Sequence, residues 1–281
     1  MTDRVHRLGV AICGAGHSGS TLLGLVLGSH SACFYAGEAK KTLFIGDPDK
    51  PLRKRVCKIC GAGCPVWGRF EVPPRPDVLE QIARLTGAPT VVDSTKNVAW
   101  IRERAAELDA VGVPQKRIFL ARDGRAVVNS RVRKYPDEDP AAVIDAWLAQ
   151  VEATRALLAE RPGDALTVRY EALATEPEPV VRRVCEHLGL DFEPAMLRYE
   201  THEHHPLGGN TGTQSVVARA AKVDTPLAKV PARSRSYYAG LGGGFRLDRR
   251  WERELPDAVR ALFERRAGEV NEAFRWEGAG R

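Results

Sequence analysis

Residues 13–23 read CGAGHSGSTLL, and from Gly14 to Thr21 they carry the spacing of the phosphate-binding signature Gly-x-x-x-x-Gly-Lys-Ser/Thr, with Ser20 at the lysine position. Upstream, Leu8 to Cys13 is a short apolar run of the kind that forms a buried strand. Downstream, the leucines of Thr21 to Leu27 recur at helical spacing. Strand, glycine loop and helix in that order are the context such a loop needs, because a helix start offers unpaired backbone N–H groups and the positive end of its dipole. In nucleotide triphosphatases the signature lysine reaches the terminal phosphates and the Ser/Thr holds magnesium. A loop with Ser20 there is suited to holding a phosphate but lacks the charge for ATP chemistry.

The same alternation continues along the chain. Thr90 to Val92 leads through Asp93-Ser94-Thr95-Lys96 into a helical segment from Val98 to Leu108, and Arg117 to Leu120 leads through Ala121 to Arg125 into another. Ala165 to Val168 precedes Arg169-Tyr170-Glu171. Strands alternating with helices predict one α/β domain over residues 1–281, a P-loop-like three-layer fold whose central parallel sheet is flanked by helices. Such sheets take ligands at the carboxyl ends of their strands, where all the conspicuous polar motifs fall. Two stretches, about 40–77 and 206–244, are rich in Pro, Gly and charge without sustained periodicity. They read as loop excursions of the sort that form lids or binding segments.

With 43% hydrophobic and 28% charged residues, a chain of 281 residues can bury one sizeable core. No apolar run approaches bilayer length, and the N-terminus runs into a strand rather than a signal peptide, so a cytoplasmic protein without a membrane span is expected. The net charge of +6 suits an anionic ligand. Nucleic acid is disfavoured as a partner, because the aromatic residues are sparse and scattered and no reading motif is present. Oligomeric state is not legible.

Six cysteines in an unsecreted chain argue against a disulfide scaffold. Cys57, Cys60 and Cys64, in CKICGAGCPVW, are close enough to share a structural zinc, but only one pair has zinc-knuckle spacing and no partner pair follows. The competing reading is a Gly- and Cys-rich loop whose Trp67 packs on the body of the protein. The cluster His202, Glu203, His204 and His205 is a second place where a metal could be considered.

Ser18-Gly19-Ser20-Thr21-Leu22-Leu23 resembles the 5′-phosphosulfate loop of sulfotransferases that use 3′-phosphoadenosine 5′-phosphosulfate (PAPS). RIFLARDGRAVVNS, residues 117–130, resembles the family's 3′-phosphate segment, in which an arginine ends a strand and a serine follows eight residues later, as Arg122 and Ser130 do. The pairing has a physical reason: a guanidinium offers a planar fork of donors to a phosphate, and a hydroxyl just over two helical turns on adds another. Asp93-Ser94-Thr95-Lys96, Tyr170-Glu171, Gly209-Asn210 and Cys64-Pro65-Val66-Trp67 each resemble further family features. The resemblance implies contacts to PAPS from Gly16, His17, Ser18, Gly19, Ser20, Thr21, Arg122, Ser130, Tyr170, Gly209 and Asn210. It also implies sulfuryl transfer to a hydroxyl of a small-molecule acceptor, release of 3′-phosphoadenosine 5′-phosphate (PAP), and no requirement for a metal. His17 stands where the family often has Arg or Lys, a shorter and conditional charge.

Sulfuryl transfer needs a base for the acceptor proton and positive charge or donors on the leaving phosphate. Tyrosylprotein sulfotransferases and several bacterial members place a Gly-Glu at the distance from the glycine loop at which Glu38 stands here, and use that glutamate as base. Read without the resemblance, Glu38 is a solvated loop carboxylate near Lys40 and Lys41. His17 and Lys40 are second-rank bases. Lys96, at a strand's carboxyl end, is placed to donate to the bridging oxygen as the S–O bond breaks. The same resemblance favours a loop role for residues 202–205, leading to Gly209-Asn210, and a structural role for the cysteine segment. Three alternatives stand beside this reading: a P-loop small-molecule kinase using ATP, which the missing lysine opposes, a protein-tyrosine sulfotransferase, and a non-catalytic nucleotide-binding module.

Overall fold

The computed structural model describes residues 3–72 and 77–276. Five parallel strands form one sheet: β1 (Leu8–Cys13), β2 (Cys33–Gly37), β3 (Thr90–Asp93), β4 (Gln115–Ala121) and β5 (Ala165–Arg169), in the spatial order β2-β3-β1-β4-β5. β1 and β3 are buried along their whole length, as strands covered on both faces must be, and their LGVAIC and TVVD sequences supply the apolar run this requires. β1 is central, pairing Leu8 with Thr90 on one side and Gly9 with Gln115 on the other.

From β1 the chain passes through helix α1 (Ser20–Leu27) to the outer strand β2, returns to β3 beside β1, and then crosses to β4 and β5. The winding direction therefore reverses next to β1, and that reversal opens a crevice above its carboxyl end, where the glycine loop sits. A large core holds Ile12, Leu23, Leu25, Leu27, Ile82 and Ile118, all fully buried. A second, aromatic cluster lies under helices Pro140–Ala159 and Asp257–Asn271, with Trp147 and Phe263 ring centroids 5.5 Å apart and Phe119 and Phe274 5.8 Å apart. None of the described helices is long and apolar enough to cross a membrane.

Two elements depart from the sequence expectation. β2, CFYAG, is a strand that the periodicity did not single out. Its outer edge is extended by residues 206–208: Leu207 N–H donates to Ala36 O at 2.9 Å and Glu38 N–H donates to Leu207 O at 2.7 Å. The approach requires glycine at Gly37, which has φ +80° and where a Cβ would stand 2.2 Å from the Leu207 carbonyl oxygen. The second departure is a ten-residue helix, Thr211–Ala220, inside the stretch read as the 206–244 loop. Asn210 caps it, its side-chain oxygen accepting from Thr213 N–H at 3.0 Å.

Candidate active site

The glycine loop ends on Gly19, in the left-handed region at φ 98°, and α1 begins at Ser20 with no side-chain cap on its first turn. Those unpaired N–H groups face the crevice, the arrangement that receives an anion. Gly19 cannot be replaced cheaply, because a Cβ there would stand 2.5 Å from the Tyr170 ring. The contact joins the glycine loop to the segment after β5. On its other side Tyr170 lies 4.2 Å from the Arg122 guanidinium carbon, stacked beneath it.

Arg122 is buried at the end of β4. Its Nη1 donates to the His17 carbonyl oxygen at 2.7 Å and its Nη2 lies 3.5 Å from Asp248. Glu171, the neighbour of Tyr170, supports the same turn by accepting from Asp123 N–H at 3.0 Å. The Tyr170-Glu171 pair thus grips the Arg122 turn from below and behind. Ser130 follows on helix Gly124–Lys134 and opens on the same cavity, as do Arg133 and Lys134 beyond it.

Glu38 follows β2 and Lys96 follows β3, so the parallel register brings both to the crevice from adjacent strands. Buried Asp93 ties the two strand ends together, its carboxylate accepting from Ala39 N–H at 2.9 Å, Thr95 N–H at 2.7 Å and Trp100 Nε1–H at 2.8 Å. Glu38 Oε2 is paired with Lys41 at 2.7 Å. Burial raises the pKa of the Glu38 carboxyl, but Lys41, Lys96 and the Gly209 N–H outweigh it and hold the carboxyl below its usual range. Lys96 Nζ donates to the Ser94 carbonyl oxygen at 2.8 Å. Burial pulls the pKa of its ammonium down, opposed by Glu38 and Asp93.

A cavity of about 370 Å³ collects these groups: Gly16, His17, Gly19, Ser20, Thr21, Glu38, Lys96, Arg122, Ser130, Tyr170, Gly209 and Asn210 all line it. Ser18 does not. It lies beneath the loop, and its buried hydroxyl, like the buried Arg122 Nε, has no hydrogen-bond partner among the described residues. Thr21 Oγ1 accepts from Asn210 N–H at 2.8 Å, which fixes the Gly209-Asn210 turn over the start of α1. Lys40 does not line the cavity. His17, at φ 69°, does, but burial and then Lys134 and Arg122 push its pKa down to about 3, so it is neutral and contributes no cationic charge.

Tyr237, Arg246 and Arg250 also line the cavity, and sequence reasoning did not assign them to it. Arg246 Nη1 donates to the Tyr237 carbonyl oxygen at 2.8 Å, and Arg250 pairs with Asp248 at 2.7 Å, so the segment after the Thr211–Ala220 helix folds back over the mouth. The density of arginines between 246 and 250 was the available signal. An uncapped helix start, unpartnered buried donors and a predominantly basic wall suit a ligand carrying more than one phosphate or sulfate group.

Residues 92–194, which include Lys96, Arg122, Ser130 and Tyr170, match the model of the sulfotransferase family. The match takes in 103 of the chain's 281 residues. A Caenorhabditis briggsae protein provisionally named a protein-tyrosine sulfotransferase is 25% identical to this chain over 114 residues, 38% of this chain and 39% of that protein. The aligned part thus spans well under half of that relative. Among solved structures, the sulfotransferase domain from the curacin biosynthetic pathway is similar at a TM-score of 0.53 and 18% identity, covering 85% of this chain and 98% of that one. The sulfotransferase domain from the Synechococcus PCC 7002 olefin synthase is similar at 0.54 and 18%, with 86% and 95% covered. At such identities the likeness is one of fold.

Outside the crevice, the cysteine segment gains a group that its own sequence does not supply. Cys57, Cys60 and Cys64 lack a partner Cys pair, but His205, assigned on sequence to the loop before Gly209, comes to them as a fourth group.

Proposed function

We propose that the chain is a PAPS-dependent sulfotransferase that moves a sulfuryl group to a hydroxyl of a small-molecule acceptor and releases PAP. The observation that carries this is the convergence, on one basic cavity, of an uncapped glycine-loop helix lacking the signature lysine with Arg122, Ser130, Glu38 and Lys96. In this reading the start of α1, with Gly19 to Thr21, holds the 5′-phosphosulfate, while Arg122 and Ser130 hold the 3′-phosphate. The acceptor oxygen attacks sulfur, its proton passes to Glu38, and the bond from sulfur to the bridging oxygen breaks while Lys96 donates to that oxygen. The ion pair with Lys41 keeps Glu38 ionised and ready to accept. The resemblance of one stretch to a protein-tyrosine sulfotransferase keeps tyrosine as a second acceptor reading.

Thermal unfolding separates this from an ATP-using enzyme. PAP at about a hundred times its dissociation constant should raise the unfolding temperature by roughly 5–10 °C, and Mg-ATP at the same concentration should raise it far less. The reverse order would favour the kinase reading.

A second prediction concerns the 3′-phosphate. Because the Arg122 guanidinium is held by Tyr170 and the His17 carbonyl at the end of β4, Arg122→Ala should weaken PAP binding by about 10- to 100-fold, the value of a charge-assisted contact. Binding of an adenosine 5′-phosphosulfate lacking the 3′-phosphate should change little. Calorimetry with both ligands checks it, and equal losses would show that Arg122 does not read the 3′ position.

A further inference from the structure

We infer that Cys57, Cys60, Cys64 and His205 form a structural zinc site that fastens the 57–64 loop to the added edge of the sheet. The three sulfurs and one imidazole nitrogen lie within 4.8 Å of one another. His205 Nδ1 is 3.2 Å from Cys60 Sγ and 3.4 Å from Cys64 Sγ. In a tetrahedral site with Zn–S near 2.3 Å and Zn–N near 2.0 Å, nitrogen and sulfur ligands stand about 3.5 Å apart, so these atoms need to move only a few tenths of an ångström. Three thiolates with one imidazole select zinc over the harder divalent ions.

The surroundings fit a bound cation as well as the ligands do. Ile59 N–H and Cys60 N–H both point at Cys57 Sγ at 3.4 Å, the donors that a metal-bound thiolate accepts. Glu203 Oε1 lies 3.0 Å from His205 Nε2, which leaves Nδ1 for the metal and completes a carboxylate–histidine–metal arrangement. Trp67 Nε1–H donates to the His205 carbonyl oxygen and fixes its backbone. Cys57, Cys64 and His205 are buried and Cys60 is exposed, so the site is closed on three sides and has an entry path.

The position gives the site a structural task. Cys57 and Gly37 both bridge to Leu207, the residue that pairs along β2 two positions after His205. Gly208, Gly209 and Asn210 follow at once, so the metal would anchor the strand that delivers the cavity's Gly209-Asn210 turn. The inference rests on the cluster and not on the sulfuryl-transfer reading.

The test is elemental analysis of the full chain, purified without chelator from zinc-supplemented cells, together with zinc-edge X-ray absorption. About one zinc per chain is expected, with a shell of three sulfurs near 2.3 Å and one nitrogen near 2.0 Å. Cys64→Ser and His205→Ala should lose the stoichiometric metal, while Cys185→Ser, a thiol remote from the cluster, should keep it. Should the ligand variants fail to fold, the absorption spectrum of the unsubstituted protein still decides the matter. A shell of oxygen and nitrogen alone, zinc below about a tenth of an equivalent, or a disulfide joining two of the three cysteines would each overturn the site.

Discussion

Glu38→Gln is expected to lower turnover by a factor of about 10² to 10⁴ while PAP still binds within a few-fold of the unsubstituted protein. The amide keeps the size of the side chain and most of its hydrogen bonding but cannot take a proton. Glu38 sits at the end of β2, away from Arg122 at the end of β4 and Ser130 on the helix that follows it, so its loss should affect chemistry and spare the 3′-phosphate contacts. Lys41 holds only Oε2, and the carboxyl stays below its usual pKa range despite partial burial, so the carboxylate is ionised through the neutral range. A base of this kind matters most for an acceptor that sheds its proton reluctantly. The factor should therefore be larger for an alkyl hydroxyl than for an acidic phenol. Steady-state rates on a pair of acceptors differing in hydroxyl pKa check this, and near-normal turnover on the less acidic one would remove Glu38 from the role.

Lys96→Met should cost roughly 10²- to 10³-fold in turnover, the usual consequence of removing one preorganised donor from a developing negative charge. Here the loss should be alike for all acceptors, because the proposed mechanism has Lys96 act on the leaving phosphate and not on the incoming oxygen. Methionine keeps most of the side-chain volume in a site where Lys96 is half-buried against Ser94. The two variants therefore make a contrast: one factor that follows acceptor pKa and one that does not. If the Lys96 factor also followed acceptor pKa, the assignment of leaving group and base to separate strands would fail.

Much of the fold was legible because the parallel sheet leaves a strong local mark. β1, β3, β4 and β5 are apolar runs ending in polar clusters, and the helix after the glycine loop shows its leucine period. β2 was missed because five residues with two aromatics and a terminal glycine carry little alternation, and its outer edge is defined by residues 206–208, some 170 positions away. The helix Thr211–Ala220 was hidden by the glycines around it, although Asn210 as a cap and Val216-Val217 on its buried side were visible signals.

The candidate site divides the same way. Arg122 and Ser130 were readable because their spacing lies within one turn and helix, and the structure places both on the cavity. Arg246 and Arg250 were not, because only the return of the chain over the mouth brings them there. His205 shows the limit most clearly. Nothing in its neighbourhood points to cysteines more than 140 positions earlier, and only the pairing of Leu207 with both Cys57 and Gly37 brings it into reach.

The central claim is that the cavity recognises an adenine nucleotide phosphorylated at both the 3′ and 5′ positions. Calorimetric titration of the unsubstituted protein with PAP, and in parallel with adenosine 5′-phosphate, tests it most directly. PAP is predicted to bind about 10- to 100-fold more tightly, the difference expected from charge-assisted contacts to one additional phosphate. Equal affinities, or no detectable binding of PAP, would contradict the account.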